Sequence, residues 1–298
     1  MEQVPNSIIS LVSSILRKGE DDITQLYALR TIENICSQGV TWASRFTIQD
    51  VISNLCYIYR ASGKSENMRL TAGSCLVRLV RFNPSCIQSV TDKLSSKDMA
   101  CALVKGNPRE QQITLNLLNM IMFGGHILPS IGRYLLPLME EKNLVSSLVS
   151  LIEQGSEVMK GKAIVFVAFL CKSVRRWLPH FLCNPRLLSS VDRLAKEKDI
   201  FVQQCLTGSV QIVASVVPSL LDMIIGDIQQ MMGGRRLGHI SSPLTSRAAP
   251  KTNIHLFPVV LHLLGSLTFK RKVVSPQVLQ QLSDLIRHIE TPFQVGIF

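Results

Sequence analysis

The strongest constraint on the fold is an internal repeat. Apolar side chains recur at helical spacing along one face of the stretch Ile23–Phe46, and polar side chains fall mostly on the other. A shift of 135 residues brings the same pattern back in Val158–Phe181, and the only two tryptophans, Trp42 and Trp177, fall at equivalent positions. Other coinciding pairs are Ala28 with Ala163, Ile32 with Val167, Cys36 with Cys171 and Phe46 with Phe181. The sequence therefore predicts repeated helical units.

Small residues mark the centre of each predicted core helix. Aligned on these residues, the helices recur at intervals of 44, 42, 49 and 42, at Ala28, Ala72, Thr114, Ala163 and Cys205. Helices that stack closely need a small side chain where they cross. Armadillo and HEAT units of two or three helices have similar periods, and no segment alternates like a strand. We predict an all-α, armadillo/HEAT-like α-solenoid, a right-handed superhelix of about five repeats.

The chain divides into three predicted segments. Armadillo/HEAT-like repeats cover residues 1–232, a flexible basic loop covers 233–254, and a terminal helical pair, as an incomplete or capping repeat, covers 255–298. Proline disrupts a helix interior, so Pro218 is expected to separate two helices, Ile200–Val216 and Pro218–Met232. Helical periodicity stops at Gly233, and a loop of this length is either functional or disordered. The final two helices are predicted at 256–269 and 275–290.

Composition limits the environment of the protein. Hydrophobic residues make up 46% of the chain and charged residues 18%, which is typical of a folded protein. The longest unbroken apolar run, near Ala163–Cys171, falls short of the ~20 residues that span a bilayer, and the N-terminus shows no signal peptide. Eight cysteines without a CxxC pair indicate buried free thiols in a reducing cytoplasm.

The sharpest electrostatic feature lies between Gln229 and Ser283. This stretch lacks Asp and Glu, although the whole chain has a net charge of +11. Its cations are Arg235, Arg236, Arg247, Lys251, Lys270, Arg271 and Lys272. A basic loop beside a basic turn can hold an acidic protein tail or phosphates with little geometric demand; the alternative is a solvated loop with incidental charge. Ser242 and Ser275, each followed by proline, are candidate phosphosites, where phosphate would reduce the positive charge.

Other candidate residues favour structure over chemistry. Trp42 and Trp177 could grip a peptide, but their spacing and the lack of a matching Asn favour core anchors. The other predicted anchors are Phe46, Phe181, Ala28, Ala72 and Ala163. No nucleotide-binding, hydrolase, zinc-protease or kinase motif occurs. His255 and His262 share one face of a predicted helix without a third metal ligand nearby. We expect no catalytic residue, cofactor or metal.

Two runs of residues in this chain resemble one known family. The runs are QLYALRTIENICSQGVTWASRF and MRLTAGSCLVRLVRFNP, and they resemble the plant RUNKEL-type proteins. That family couples an N-terminal serine/threonine kinase or kinase-like domain to a long armadillo/HEAT region, and only the helical part is matched here. The resemblance implies a microtubule-associated scaffold in cytokinesis and phragmoplast organisation, located in the cytoplasm on the cytoskeleton, with tubulin as the acidic partner.

Three functions stay open from the sequence. The first is a non-catalytic scaffold that docks on an acidic surface such as the microtubule. The second is an armadillo adaptor that takes a peptide in a concave groove, with charge irrelevant. The third is a nucleic-acid-binding solenoid. The low aromatic content of 6% and the lack of regular base-reading side chains argue against nucleic acid.

Overall fold

The computed structural model describes residues 6–17, 19–39, 41–123, 143–236 and 253–295, with the backbone alone at 41–42, 234–236 and 289–295. Every regular element in these ranges is helical. The chain divides into two compact units, residues 1–147 and 148–298. Each unit is built from helices that bury one apolar side against their neighbours.

In the first unit, α4 is the central helix. The helices are α1 Asn6–Ile15, α2 Asp22–Ser37, α3 Gln49–Arg60, α4 Glu66–Phe82, α5 Ile87–Thr91, α6 Ser96–Lys105 and α7 Pro108–Phe123, with 3₁₀ turns at Thr41–Phe46 and Pro84–Cys86. Helix α4 packs against α2, α3 and α7. Its residues Ala72, Cys75, Leu76 and Leu79 are completely buried, so the core of this unit surrounds α4.

In the second unit, one long helix has the central position. Helix α8, Leu144–Gln154, crosses the division between the units. It is followed by α9 Glu157–Ser173, α10 Trp177–Leu182, α11 Pro185–Leu194, α12 Ile200–Arg236, α13 Phe257–Gly265, α14 Leu267–Val273 and α15 Pro276–Val295, with a 3₁₀ turn at Ile254–Leu256. Helix α12 packs against α9, α11, α13, α14 and α15.

The repeat found in the sequence is also present in the structure. Adding 135 to the first residues of α2, α3 and α4 gives 157, 184 and 201, and α9, α11 and α12 begin at Glu157, Pro185 and Ile200. Each of these starts agrees within one residue. The shared apolar pattern therefore reflects a shared order of helices in the two units.

Each inner helix, by which we mean α2, α4, α7, α9 and α12, begins with the same type of N-cap. A side-chain oxygen of the cap accepts the backbone N–H three residues later, which satisfies a donor that the helix leaves unpaired. The caps are Asp21 (3.2 Å), Ser65 (3.3 Å), Asn107 (2.9 Å), Ser156 (3.4 Å) and Asp199 (2.8 Å). Seven residues after the first four caps lie Ala28, Ala72, Thr114 and Ala163, all buried, but after Asp199 the position is Leu206. Counted from the caps, the equivalent position in α12 is therefore one residue after Cys205, which itself faces Gly161 of α9.

The fourth residue of an inner helix ties that helix to the preceding one. Three glutamines and one arginine donate to carbonyls within two residues of the end of the helix before: Gln25 to Arg17 (2.9 Å), Arg69 to Tyr59 (3.1 Å), Gln111 to Leu103 (2.9 Å) and Gln203 to Leu194 (2.8 Å). In α9 the equivalent residue, Lys160, instead pairs with Glu197 at 2.9 Å. These bonds satisfy carbonyls that have no partner within their own helix.

Helix α12 departs most from the sequence prediction. It continues through Pro218 and ends at Arg236, four residues inside the segment that the sequence assigns to a loop. A proline in a helix interior costs about 3 kcal/mol. Its apolar face continues without interruption across the proline, since Val213, Val217, Leu220, Leu221 and Ile224 are all buried. Packing of this face outweighs the local cost. Residues 237–252 of the predicted loop lie outside the described residues, and at its end Ile254 begins a 3₁₀ turn.

The last helices also differ from their predicted bounds. Predicted helix 256–269 is divided at Ser266 into α13 and α14, and the last helix extends to Val295. The predicted terminal pair is thus three helices in the described part of the chain.

Helix α12 is also relevant to the expectation from the sequence that no apolar run is long enough to span a bilayer. Among the described helices, its stretch Ile200–Gly233 is the one long and apolar enough to cross a bilayer by length and composition. The sequence estimate missed it because it considered unbroken apolar runs. In this structure α12 is amphipathic: its exposed residues include Gln204, Thr207, Gln211, Ser215, Ser219 and Asp222. Its apolar side packs against α9 and α15, as expected of a core helix.

Candidate functional site

The most prominent exposed cations of the second unit form the last turn of α14. We call Lys270, Arg271 and Lys272 the basic turn; all three are exposed. The flanking Phe269 and Val273 are each 2% exposed and anchor the turn in the core. Positive charge is favoured at a helix C-terminus. No carboxylate in the described ranges lies within ion-pair distance of these cations, so their charge is available to a partner.

Asp192 of α11 fixes the start of the helix that carries the basic turn. Its Oδ1 accepts hydrogen bonds from Ser266 Oγ at 2.7 Å, Thr268 Oγ1 at 2.7 Å and Thr268 N at 3.2 Å. Helix α14 has no cap from its own N-cap side chain, so a residue of another helix supplies the acceptor. The basic turn is consequently presented on a rigid element.

Of the other predicted basic residues, Arg235 and Arg236 have a described backbone, which lies away from the basic turn. Gln281 Nε2 on α15 donates to Pro218 O at 2.8 Å and to Asp222 Oδ1 at 2.6 Å, and His288 lies 3.4 Å from Gln229. Residue numbers rise together on α12 and α15, so the two helices run parallel. Arg235 and Arg236 are thirteen and fourteen residues beyond Asp222, about 20 Å at 1.5 Å per residue.

The basic turn comes before Gln281 in the chain, whereas Arg235 and Arg236 come after Asp222. The two groups therefore lie on opposite sides of the contact between Gln281 and Asp222. The structure therefore does not bring the basic turn together with Arg235 and Arg236. The side chains of those two arginines, and all of Arg247, Lys251 and Ser242, lie outside what the structure describes. Ser275 is half-buried, and its Oγ accepts the Val278 N–H at 3.2 Å. This candidate phosphosite is therefore the N-cap of α15.

A second basic group was missed by the sequence analysis. Lys172, Arg175 and Arg176 are exposed at and just beyond the end of α9. Arg175 donates to Asn253 Oδ1 at 2.8 Å, and Asn253 N donates to Asp227 Oδ2 at 2.6 Å. The run Lys-Ser-Val-Arg-Arg directly before Trp177 is the sequence signal for this group. It was overlooked because that region was interpreted only through its tryptophan.

The predicted anchors occupy the core where the structure describes them. Trp177 is fully buried, and its ring stacks on Phe181 with centroids 5.6 Å apart and an interplanar angle of 24°. The alanines and Phe46 are also buried: Ala28 is 4% exposed, and Ala72, Ala163 and Phe46 are 0% exposed. Trp42 lies in the Thr41–Phe46 turn, but its side chain is outside the described residues. Trp177 is thus inaccessible to a peptide.

The described residues show no constellation for metal or thiol chemistry. No group of three His, Cys, Asp or Glu side chains within them can hold a metal. His255 lies in a 3₁₀ turn and His262 in α13, so they do not share one helix, contrary to the prediction. Burial raises the pKa of Cys75 and Cys171 well above the usual range and that of Cys56 to about 12, which makes these thiols poor nucleophiles.

Comparison with known proteins relates the chain to repeat regions of kinase-like proteins. The family described as "Serine/threonine-protein kinase ULK4-like, HEAT repeats" matches residues 220–296. The chain is 65% identical over 292 residues, 98% of its length, to Serine/threonine-protein kinase RUNKEL of Arabidopsis thaliana. It is 24% identical over 297 residues, 97% of its length, to Serine/threonine-protein kinase ULK4 of Mus musculus. The chain spans 21% and 22% of these two relatives.

Solved structures resemble the chain in fold. A designed armadillo repeat protein superposes with a TM-score of 0.53 at 15% identity, covering 94% of this chain and 99% of that one. Another, in complex with peptide (KR)4, gives 0.52 at 14% identity, covering 94% and 98%. These likenesses confirm the predicted all-α, armadillo/HEAT-like fold. The sequence resemblance is confirmed as well: the chain is a helical-repeat region related to those of RUNKEL- and ULK4-type kinase-like proteins.

Proposed function

We propose that this chain is a non-catalytic scaffold that docks through exposed cations on an acidic protein surface, namely the microtubule. The basic turn is the observation that carries the proposal, since it is rigidly held and has no carboxylate partner within the described residues. The net charge of +11 and the identity to RUNKEL support it. A role in cytokinesis and phragmoplast organisation, on the cytoskeleton in the cytoplasm, is the setting that we infer.

The binding would be largely electrostatic. Exposed Lys and Arg side chains attract flexible acidic tails and raise the rate of association. Exposed charges are screened by salt, with a Debye length of about 10 Å at 0.1 M ionic strength. We therefore expect the affinity to fall steeply as salt is added. Any kinase or kinase-like activity would belong to the parent protein, of which this chain would be a docking region.

Microtubule co-sedimentation across a salt series tests the proposal. The variant Lys270→Gln/Arg271→Gln/Lys272→Gln is expected to pellet several-fold less than the unaltered chain at about 0.1 M salt. A matched control, Arg17→Gln/Lys97→Gln/Lys105→Gln, makes the same change in net charge at exposed sites of the first unit and is expected to pellet normally. Unchanged pelleting of the first variant would remove the basic turn from the interface.

A separate variant, Arg235→Gln/Arg236→Gln, tests the end of α12, because the structure separates those residues from the basic turn. Equal losses in all three variants would indicate attraction by total charge without a defined site. If the unaltered chain did not pellet with microtubules at any salt concentration, the microtubule function itself would be refuted.

A second candidate function is an adaptor that binds a peptide. The observation that favours it is the likeness to designed armadillo repeat proteins, one of them in complex with peptide (KR)4. The stacked inner helices α2, α4 and α7 of the first unit offer a face along which an extended peptide can lie. Titration of labelled peptides against this chain tests this candidate separately from microtubules.

A further inference from the structure

We infer that the exposed face of α2, α4 and α7 binds an extended acidic peptide, with Arg78 and Arg81 as the residues that select carboxylates. This inference names the partner chemistry of the adaptor function and rests on it. It is independent of the basic turn, which belongs to the second unit.

The face is defined by the least-buried residues of the three stacked helices. Helix α4 is covered by α2, α3 and α7. Beyond its first turn, the polar side chains of α4 follow one stripe, in which Ser74 and Arg78 are half-buried and Arg81 is exposed. The neighbouring stripes carry Arg30 and Asn34 on α2 and Gln112 on α7, all exposed. Packed helices lie about 10 Å apart, so the face crosses about 20 Å, the length of about six residues of extended peptide.

The two arginines of α4 are oriented by neutral oxygens. Arg78 Nη1 donates to Ser37 Oγ of α2 at 2.7 Å, and Arg81 Nη2 donates to Asn116 Oδ1 of α7 at 3.3 Å. Each bond joins adjacent inner helices. The guanidinium groups are thus held in position across the seams between helices, while their charge is not neutralised by these bonds.

This arrangement differs from that of other arginines in the same unit. Arg69 pairs with Glu110 at 3.4 Å, and Arg60 pairs with Asp98 at 3.6 Å. No carboxylate among the described residues lies within ion-pair distance of Arg78 or Arg81. Glu33 of α2 is half-buried and is the acidic side chain near Arg78, but Arg30, Arg78 and Arg81 together leave the face with a net positive charge.

The chemistry of these side chains fits an acidic peptide. A guanidinium has five N–H donors, and the bonds described above use one on each arginine. The remaining donors can bind a carboxylate in a bidentate manner. Because the side chains are already oriented, binding loses less conformational entropy. Exposed Asn34 and Gln112 provide amides that can bond a peptide backbone, and Arg30 adds a further positive charge beside them.

Fluorescence anisotropy with the full 298-residue chain tests the inference. The probe is a fluorescein-labelled octapeptide of alternating Glu and Ser, compared with peptide (KR)4 and with a neutral octapeptide of alternating Gln and Ser. We expect the acidic probe to bind and the others to bind much less. Affinity for the acidic probe is expected to fall about tenfold or more in Arg78→Gln/Arg81→Gln, because two charge-assisted contacts are lost.

Two further variants separate recognition from bulk charge. Arg78→Lys/Arg81→Lys keeps the charge but loses the planar fork, so we expect an intermediate affinity. Lys97→Gln/Lys105→Gln on α6 removes the same charge at exposed positions away from this face, and we expect less than a twofold effect. Far-UV circular dichroism and thermal unfolding verify that every variant remains folded.

Each alternative outcome has a definite meaning. An equal loss in the α6 variant, or no loss in Arg78→Gln/Arg81→Gln, overturns the assignment to this face. Tighter binding of (KR)4 would retain the adaptor function but overturn acidic selectivity. If none of the peptides binds, both the adaptor function and this inference are refuted. Tighter, arginine-dependent binding of a single-stranded oligonucleotide would assign the face to nucleic acid and overturn the peptide inference.

Discussion

Replacing Gly73 with alanine tests how closely α4 approaches its neighbours. A Cβ at this position would lie 2.8 Å from Tyr59 Cδ2 and 3.0 Å from Ile113 Cγ2. Tyr59 is 7% exposed and its hydroxyl lies 3.4 Å from Thr114 Oγ1, so its ring has little room to move. Overpacking costs about 1–3 kcal/mol, and because Tyr59 and Ile113 are both buried we take the upper part of that range, about 2–3 kcal/mol; alanine gains about 1 kcal/mol in helix propensity against this cost. We expect Gly73→Ala to lower the free energy of unfolding by about 1–2 kcal/mol.

Gly161 of α9 offers a matched comparison. A Cβ there would lie 2.6 Å from Phe201 Cε1 and 3.0 Å from Cys205 Sγ, which looks at least as crowded. Phe201, however, lies in the first turn of α12 and is 38% exposed, so its ring can turn towards solvent. The steric cost of the added methyl group is therefore smaller than at Gly73, and the gain in helix propensity balances most of it. We expect Gly161→Ala to change the free energy of unfolding by less than about 1 kcal/mol.

Urea unfolding followed by far-UV circular dichroism measures both variants, since the midpoint reports stability when the slope is unchanged. Hydrogen exchange localises the loss, which for Gly73→Ala is expected in α3, α4 and α7 of the first unit. If Gly73→Ala proved as stable as the unaltered chain, the close contact of α4 with Tyr59 and α7 would be refuted. If Gly161→Ala lost as much as Gly73→Ala, mobility of the neighbouring ring would not be the deciding factor.

Three further predictions concern the cap of α14, the ion pair of Glu153 and the buried cysteines. Asp192→Ala removes the acceptor that caps α14 and is expected to cost about 1–2 kcal/mol in urea unfolding; an unchanged midpoint would contradict the cap. The hydrogen bond from Arg186 lowers the pKa of Glu153. The pair therefore stabilises the fold above the usual carboxyl pKa and is lost as pH falls through the folded value. Glu153→Gln is expected to flatten that acid dependence of the melting temperature. Finally, in native protein a thiol reagent is expected to spare Cys75 and Cys171 until the chain unfolds, and rapid labelling of either would contradict their burial.

Helix positions were predictable because local signals agreed with packing. The apolar period of the stretch Ile23–Phe46 predicts a helix there, and α2 spans Asp22–Ser37, because the apolar period and the Asp at its N-cap indicate the same start. Pro218 shows the limit. From the sequence alone, the local cost of a proline predicts a break in the helix. The apolar face of α12 that outweighs this cost is buried against α9 and α15, which are distant along the chain. The same reason explains why the division within the last helices was missed at Ser266, whose partner is Asp192.

The candidate sites were less predictable, because neighbours along the chain are not neighbours in space. Arg235 and Lys270 belong to one acid-free stretch, yet the parallel course of α12 and α15 separates them. Conversely, Arg78 and Arg81 are unremarkable in the sequence, where acidic residues lie within a dozen positions on both sides. Their significance depends on Ser37 and Asn116, about forty residues away, which orient them without neutralising their charge.

The hydrogen bond from the fourth residue of an inner helix to the preceding helix limits where such a repeat array can gain or lose residues. In four inner helices, the donor reaches a carbonyl eight to ten residues earlier, so an insertion between the two would pull the donor out of reach. The segments that follow α2 and α9 are restrained in a different way, because they carry the fully buried anchors Phe46 and Trp177. Exchanges of whole units are therefore expected to be tolerated best when an inner helix is moved together with the turn before it and the anchor after it, so that each donor keeps its carbonyl and each anchor keeps its core.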